Sequence, residues 1–223
     1  VPFEETDELA RAASSRSLDE IGILSMPPRG SSVRPQGEDA AKGAVVLARG
    51  TILRPGEIGV LASLGYAGVK AIRRPIVAIL STGDELLSPG QPLAAAKIYN
   101  SNSYSLAGLV KKYGGVPQAL GIARDNLESM NAMLAQGLSA DMLITSAGVS
   151  RGDYDMVKDV LAEHGEIAFW TVRMRPAKPL AFGVLRGNGG RPVPHLGLPG
   201  NPVSAMVAFE EMGRPAVLKM MGR

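Results

Sequence analysis

Apolar residues after position 74 fall into runs that predict alternating strands and helices. Residues 75–80 are continuously apolar, as is typical of a strand buried on both faces of a parallel sheet. Helical spacing follows at 102–113 and is closed by two glycines. The same alternation predicts strands at 116–122, 141–145, 166–173 and 180–185, helices at 126–136 and 155–164, and a last helix from Pro202. This order predicts a three-layer α/β/α domain with a mostly parallel sheet, and the glycines at 189 and 190 predict a late hairpin.

Before position 75 the pattern is different, because glycine and proline interrupt short apolar runs. Residues 45–47, 50–53 and 54–59 follow this spacing, which predicts short strands and hairpins. A helix is also expected within 5–24, capped by Thr6 or Asp7. We therefore predict a small β-rich domain at 1–74. It is followed by the α/β domain at 75–223, which we expect to carry the ligand-binding site.

Composition excludes several classes of protein. The 223 residues are 45% hydrophobic with a formal charge of +3 and no basic run, so we expect a folded protein that binds no nucleic acid. Zero cysteines exclude a disulfide scaffold, thiol catalysis and zinc sites built on sulfur. The two histidines, His164 and His195, are expected to be structural. No apolar run reaches the roughly 20 residues of a membrane span, and the acidic start is unlike a signal peptide. We expect a cytoplasmic location and no membrane partner, and Val1 indicates a fragment or a processed chain.

Ligands of open parallel sheets bind beyond the carboxyl ends of the strands, so the loops there are the candidate sites. The first loop follows the strand at 75–80. Its glycine lets backbone N–H groups approach an anion, and its acidic residues add negative charge. Its candidate ligand-binding residues are Ser81, Thr82, Gly83, Asp84 and Glu85. An ordinary turn built on serine and aspartate remains an equal alternative.

The second candidate loop, residues 145–155, follows the strand at 141–145. Its small residues leave room for a ligand, and a helix N-terminus follows; the candidates are Ser146, Gly148, Val149 and Ser150. Asp153 and Asp155 have the carboxylates that Mg²⁺ prefers. We interpret Asp153 as a helix cap and Asp155 as the functional residue.

The third candidate loop, residues 198–204, is stiffened by Pro199 and Pro202. Gly200 permits unusual dihedral angles, and the Asn201 amide can both donate and accept hydrogen bonds. Ser204 falls in the first helical turn, where free N–H groups favour an anion.

A cationic segment complements the acidic loops. Arg173, Arg175 and Lys178 lie around two prolines, and alternation would put the two arginines on one face if the strand persists. Fixed cations near carboxylates suit an oxyanion or phosphate substrate with Mg²⁺. Arg173 is interpreted as a solvated surface residue.

Six motifs in one order together resemble the molybdopterin molybdenumtransferase family of the MoeA and gephyrin E-domain type. The motifs are Arg34-Pro35-Gln36-Gly37-Glu38-Asp39, Ser81-Thr82-Gly83-Asp84-Glu85-Leu86, Ile98-Tyr99-Asn100-Ser101-Asn102, Ala147-Gly148-Val149-Ser150, Ala177-Lys178-Pro179-Leu180-Ala181-Phe182-Gly183 and Leu198-Pro199-Gly200-Asn201-Pro202-Val203-Ser204. The resemblance implies Mg²⁺-dependent cleavage of adenylylated molybdopterin, insertion of molybdate and release of AMP.

The resemblance also implies roles for individual residues. By position, the acidic functional set is Asp39, Glu85, Asp125 and Asp155, with Asp155 as the magnesium contact. Lys178, Ser204 and Arg175 correspond to groups on the molybdate side. The family further implies a homodimer in which the Asp39 segment faces the neighbouring subunit's site, and a molybdopterin adenylyltransferase as a partner.

The chain departs from the family pattern at a few positions, which are Asn100, Asn126, Ala147 and Thr171. The family's C-terminal β-barrel and first N-terminal helices have no counterpart in these residues, which indicates a fragment or a reduced version. Two alternative functions therefore stay open. One is a molybdopterin adenylyltransferase, and the other is a non-catalytic scaffold or pterin-binding module.

Overall fold

The computed structural model describes residues 1–14, 19–147 and 160–223. The chain divides into two compact units, Val1–Ala67 and Gly68–Arg223. The boundary that we expect after residue 74 remains a prediction about domain organisation. Among the described residues, none of the helices is both long and apolar enough to cross a membrane.

The first unit is built from short helices. A 3₁₀ turn at Phe3–Glu5 precedes α1 (Glu8–Ala13), and α2 spans Pro55–Ser63. Asp7 lies at the N-cap position of α1, as expected. Its carboxylate does not cap the helix and instead pairs with Arg11 at 2.6 Å.

The short strands and hairpins that we expected in this region are absent from its described residues, which contain one isolated β-bridge between Thr6 and Ile23. Residues 54–59, which were expected among these short strands and hairpins, instead form the start of α2. The reason is local, because Pro55 occupies the first helical turn and the Glu57 carboxylate accepts a hydrogen bond from the Arg54 backbone N–H at 2.9 Å.

The second unit contains a six-stranded sheet in the order β4-β1-β5-β8-β7-β6. The pairs among β4, β1, β5 and β8 are parallel, and β7 and β6 add antiparallel pairs. The strands are β1 (Ile76–Thr82), β4 (Val116–Ala123), β5 (Met142–Ser146), β6 (Gly165–Thr171), β7 (Pro179–Arg186) and β8 (Pro192–Leu198), with a separate parallel pair of β2 (Leu86–Leu87) and β3 (Ile98–Tyr99). The predicted hairpin joins β7 to β8.

Helices cover both faces of this sheet, which confirms the predicted three layers. They are α3 (Asn102–Lys112), α4 (Leu127–Gly137), α5 (residues 160–164), α6 (Pro202–Ala208), a π-helical turn (Phe209–Gly213) and α7 (Arg214–Met220). On one face, Val77 and Ile79 of β1 pack with α3, α6 and α7; on the other, Ala78 and Leu80 pack with α4 and α5. This alternation along one strand explains why β1 is continuously apolar.

Candidate functional site

Strand register brings the candidate loops to one edge of the sheet, here called the carboxyl edge. Thr82 at the end of β1 lies beside Ala123 at the end of β4, and Ser146 at the end of β5 lies beside Leu198 at the end of β8. The antiparallel β7 begins at this edge, because its residue Ala181 pairs with Gly197. The loops that follow β1, β4, β5 and β8 and the segment that precedes β7 therefore share one side of the sheet.

The loop after β1 turns sharply at Gly83. Its φ angle is +136°, a backbone conformation that residues with side chains rarely adopt. The Glu85 carboxylate folds back over Gly83 so closely that a Cβ atom on this glycine would collide with it. Ser81 and Thr82 are buried, whereas Asp84 and Glu85 are exposed. The loop therefore directs its two carboxylates towards solvent at the carboxyl edge.

Asp84 and Asp125 are joined by reciprocal hydrogen bonds. The Asp84 backbone N–H donates to Asp125 Oδ2 at 3.0 Å, and the Asp125 N–H donates to Asp84 Oδ1 at 3.3 Å. Lys97 Nζ adds a bond to the Asp84 carbonyl oxygen at 2.6 Å. The structure thus brings together two carboxylates that are 41 positions apart in sequence. Asn126, one of the departures from the family pattern, instead caps α4 by accepting from the Ser129 N–H.

A cleft of about 310 Å³ opens at the carboxyl edge, and Glu85 is the acidic residue that lines it. Its lining combines the three candidate loops with the N-terminus of α3 and includes Glu85, Tyr99, Asn102, Ser146, Gly200 and Asn201. Apolar atoms form most of the exposed surface of this lining, and amide, hydroxyl and carboxylate groups are set among them. Such a lining suits a ligand with a largely apolar ring body and a few polar groups.

Hydroxyl and amide groups form a buried network under the cleft. Ser81 Oγ lies 3.1 Å from Asn100 Oδ1 and 2.9 Å from Ser103 Oγ, and Asn100 Nδ2 donates to Ser103 Oγ at 2.8 Å. Asn100 is one of the departures from the family pattern named above. Its amide uses both an acceptor and a donor here, and an ionised carboxylate has no donor to supply.

Asn102 was named from the sequence only within a family motif, and no site role was assigned to it. In the structure its side chain does not cap the helix. Asn102 Nδ2 donates to Ser146 Oγ at 2.7 Å and to the Gly200 carbonyl at 2.8 Å. Its partners lie 44 and 98 positions away, so no local signal marks this contact.

The loops after β5 and β8 touch each other. Ala147 has a φ angle of +76°, and its N–H donates to the Leu198 carbonyl at 3.1 Å. A Cβ atom on Gly200 would lie 3.4 Å from that of Ala147, which is an ordinary van der Waals contact, and Gly200 is not among the glycines with a positive φ angle, so the unusual dihedral angle expected there is not seen. This alanine is therefore held in a conformation that glycine adopts more easily.

The third loop is partly a helix cap. Asn201 Oδ1 accepts from the Ser204 N–H at 3.2 Å and lies 3.4 Å from its hydroxyl, and Pro202 occupies the first turn of α6. Pro199, which directly precedes Gly200, follows the end of β8 at Leu198. Asn201 lines the cleft, whereas Ser204 is not among the residues that line it.

The cationic segment between β6 and β7 lies at the carboxyl edge but outside the cleft. β6 ends at Thr171, so the strand does not extend to Arg173 and Arg175. Arg175 and Lys178 are exposed and flank the buried Ala177. By strand order, Lys178 lies three strand spacings from the β1 loop, or about 14 Å.

Some candidate residues are not brought to this edge by any described contact. Asp39 belongs to the first unit, where it is exposed and lies 3.2 Å from Arg34. Asp155, Gly148, Val149, Ser150 and Asp153 lie outside the described residues. Within the described parts of the chain, no three or more acidic or histidine side chains are grouped closely enough to hold a metal ion.

His195 is fully buried in the middle of the sheet. Its Nε2 lies 3.0 Å from the Thr145 hydroxyl, and burial lowers the pKa of the imidazole to about 3. The ring is therefore neutral at physiological pH and does not face the cleft lining.

A comparison of the sequence with family models identifies the family of this chain. Residues 78–219, more than half of the chain, match the model described as a probable molybdopterin binding domain. The chain belongs to this molybdopterin-binding family. Residues 1–65 match the MoeA N-terminal region, domains I and II, so the chain is of the MoeA type.

Individual relatives agree with this family. The chain is 40% identical to a molybdopterin molybdenumtransferase from Haemophilus influenzae over 93% of its length and 51% of the relative's. It is 38% identical to molybdopterin molybdenumtransferase 2 from Mycobacterium tuberculosis, over 100% of the chain and 55% of the relative. The chain thus spans about half the length of these curated relatives.

A solved structure agrees at the level of the fold. The molybdopterin biosynthesis MoeA protein from Pyrococcus horikosii superposes with a TM-score of 0.76 at 30% identity, covering 100% of this chain and 53% of the other. The molybdopterin-binding domain seen here is therefore that of MoeA-type proteins.

Proposed function

We propose that this chain binds adenylylated molybdopterin along the carboxyl edge and takes part in the insertion of molybdate, with release of AMP. The observation that carries the proposal is the convergence of Asp84, Asp125 and a cleft that has amide, hydroxyl and carboxylate groups among apolar ones, all on one edge of a molybdopterin-binding domain. Such an edge can hold the ligand in the cleft, next to acidic groups that can bind the Mg²⁺ associated with its phosphates.

The charges along this edge suggest how the ligand is oriented. Carboxylates lie at the β1 and β4 loops, whereas Arg175 and Lys178 precede β7, about 14 Å away by strand spacing. We infer that the pyrophosphate lies near Asp84, Glu85 and Asp125. Molybdate would then lie towards Lys178, Arg175 and Ser204, where cations stabilise an oxyanion.

The donor set suits Mg²⁺, which is commonly bound by one or two carboxylates together with phosphates and water. The reciprocal bonds engage one oxygen of each carboxylate, Asp84 Oδ1 and Asp125 Oδ2. These two residues and Asp155, assigned by resemblance, would hold the ion. When bound, Mg²⁺ supplies positive charge that neutralises the phosphate oxygens. The protein's part is to orient the pyrophosphate and to keep Glu85 over Gly83, beside the cleft.

Further parts of the proposal rest on the family resemblance. We propose a homodimer in which the Asp39 segment completes the neighbouring subunit's site. A molybdopterin adenylyltransferase would supply the adenylylated substrate, and the protein would work in the cytoplasm.

The test is to incubate the chain with adenylylated molybdopterin, Mg²⁺ and molybdate and to measure AMP. Release that requires both Mg²⁺ and molybdate supports the proposal. Asp125→Asn should lower this release at least tenfold, because one of the paired carboxylates loses its charge. Glu128→Gln, an exposed carboxylate substitution in the first turn of α4, is the matched control and should retain the wild-type rate.

A pterin-binding module without turnover is the second candidate. Tight pterin binding without AMP would support it. Formation of the adenylate from ATP would instead indicate an adenylyltransferase.

A further inference from the structure

The Asn102 side chain ties three elements of the cleft together. It projects from the first residue of α3, donates to Ser146 at the end of β5, and donates to the Gly200 carbonyl in the loop before α6. Both protons of Nδ2 are used by these two bonds. The residue is only 7% exposed, and it lines the cleft.

The orientation of this amide is fixed by its partners. If the oxygen and nitrogen were exchanged, Asn102 Oδ1 would face the Gly200 carbonyl oxygen, and two acceptors would repel each other. In the observed orientation Oδ1 is buried and has no hydrogen-bond partner among the described residues. Unpaired buried acceptors are uncommon in native proteins, and they concentrate where a function requires them.

This orientation determines what Ser146 can do. Because Ser146 Oγ accepts the Asn102 proton at 2.7 Å, its own proton must point away from Asn102. Ser146 lines the cleft at the end of β5. Its hydroxyl is therefore poised to donate to an oxygen atom of a bound ligand.

We propose that Asn102 is a positioning residue that makes Ser146 a hydrogen-bond donor to an oxygen of the bound pterin, while it holds the Gly200 loop against the cleft. This inference rests on the proposed function, because it takes a pterin as the ligand. The acceptor is either the pterin ring carbonyl or the phosphate of the pterin side chain, which share the same chemistry towards a hydroxyl.

A double-mutant cycle tests this coupling. Affinity for molybdopterin is measured for the wild-type chain, Asn102→Ala, Ser146→Ala and the double variant. Each single change should weaken binding about fivefold, as expected for loss of one neutral hydrogen bond. If Asn102 acts through Ser146, the affinity of the double variant should be no lower than that of whichever single variant has the lower affinity. Asn188→Ala, in the exposed hairpin turn, is the matched control and should bind as wild type.

Additive losses, or wild-type affinity for Asn102→Ala, would overturn the inference while leaving the proposed function intact. If the wild-type chain does not bind molybdopterin at all, both fail. Repeating the measurements with a pterin that lacks the phosphate identifies the acceptor. Loss of the Ser146 effect assigns it to the phosphate, and its retention assigns it to the ring.

Asn102→Asp provides a second readout in case the alanine variant folds poorly. Aspartate has the same shape but supplies no proton when ionised, so binding should be weak at neutral pH. As the pH falls and the carboxyl becomes protonated, one donor returns, and affinity should recover relative to wild type. An affinity ratio that does not change with pH would contradict the positioning role.

Discussion

Asp141 connects the start of the sheet to two distant arginines, and its removal should cost stability without affecting the ligand site. The residue directly precedes β5. Its carboxylate accepts hydrogen bonds from both terminal nitrogens of Arg73, from Arg191 at 2.7 Å and from the Ile76 N–H at 2.8 Å. The Asp141 side chain is 14% exposed, whereas those of Arg73 and Arg191 are 67% and 42% exposed.

The loss of stability expected for Asp141→Asn can be worked out from these exposures. Four hydrogen bonds meet one carboxylate, and asparagine retains one oxygen to accept them. Charge-assisted bonds contribute about 1.5–3 kcal/mol each when buried, but exposed arginines recover most of that from water. We therefore expect a loss of about 1–3 kcal/mol in the free energy of unfolding.

Urea unfolding followed by circular dichroism measures this loss. The midpoint should fall by roughly 0.5–1.5 M with an unchanged m-value. Glu211→Gln, an exposed carboxylate in the π-helical turn, is the control and should change stability by less than about 0.5 kcal/mol. Pterin affinity should not change, because Asp141 lies at the opposite edge of the sheet from the cleft.

The pH dependence supplies a second test. The Arg73 guanidinium holds the pKa of Asp141 well below its usual value of 3.8. The contribution of a carboxyl with a lowered pKa is complete above its unfolded pKa and is lost as pH falls towards the folded one. The difference between wild type and Asp141→Asn should thus be constant above about pH 5 and shrink below pH 4. A difference below about 0.3 kcal/mol at neutral pH, or one that grows in acid, would refute this reasoning.

Three further predictions concern single residues. Burial lowers the pKa of His195 from 6.5 to about 3. Below pH 6.5 the unfolded chain therefore binds a proton that the folded chain does not. The free energy of unfolding should then fall by up to about 1.4 kcal/mol per pH unit. His195→Gln should flatten that slope in urea titrations, and an identical slope would contradict it. Ala147→Gly should stabilise the chain by up to about 1 kcal/mol and raise its thermal midpoint, because the φ angle of Ala147 is +76°. A lower midpoint would show that the backbone of Ala147 is not strained. Lys178→Ala should raise the molybdate concentration needed for half-maximal AMP release about tenfold, with Lys219→Ala, on α7, unchanged; an unaltered requirement would refute the role of Lys178.

The main elements of the second unit could be predicted from the sequence because their signals are local. The apolar run at 75–80 corresponds to β1, and the helical spacing after residue 101 corresponds to α3. The hairpin at residues 188–190 is marked by its two glycines, both of which have positive φ angles. In each case, neighbouring residues carry the periodicity or the conformational freedom that specifies the element.

Local reasoning was less successful in the first unit. Residues 54–59 were expected among short strands and hairpins, although proline is equally suited to the first turn of a helix. A strand also needs a partner, and in the described residues of this unit the only pairing is the bridge from Thr6 to Ile23. Glycine and proline alone do not determine which of these two structures forms.

The chain by itself thus determined the order of its strands and helices and the loops that carry polar residues, because both depend on neighbours in sequence. Tertiary structure alone decided which side chains meet at the carboxyl edge. The bond from Asn102 to Gly200 spans 98 positions, and the pairing of Asp84 with Asp125 spans 41. By contrast, Asn126 and Asn201 cap helices through contacts with residues only three positions further along the chain. An amide has the same chemistry in every setting, and only the packing of the sheet and its helices determines which partner it reaches.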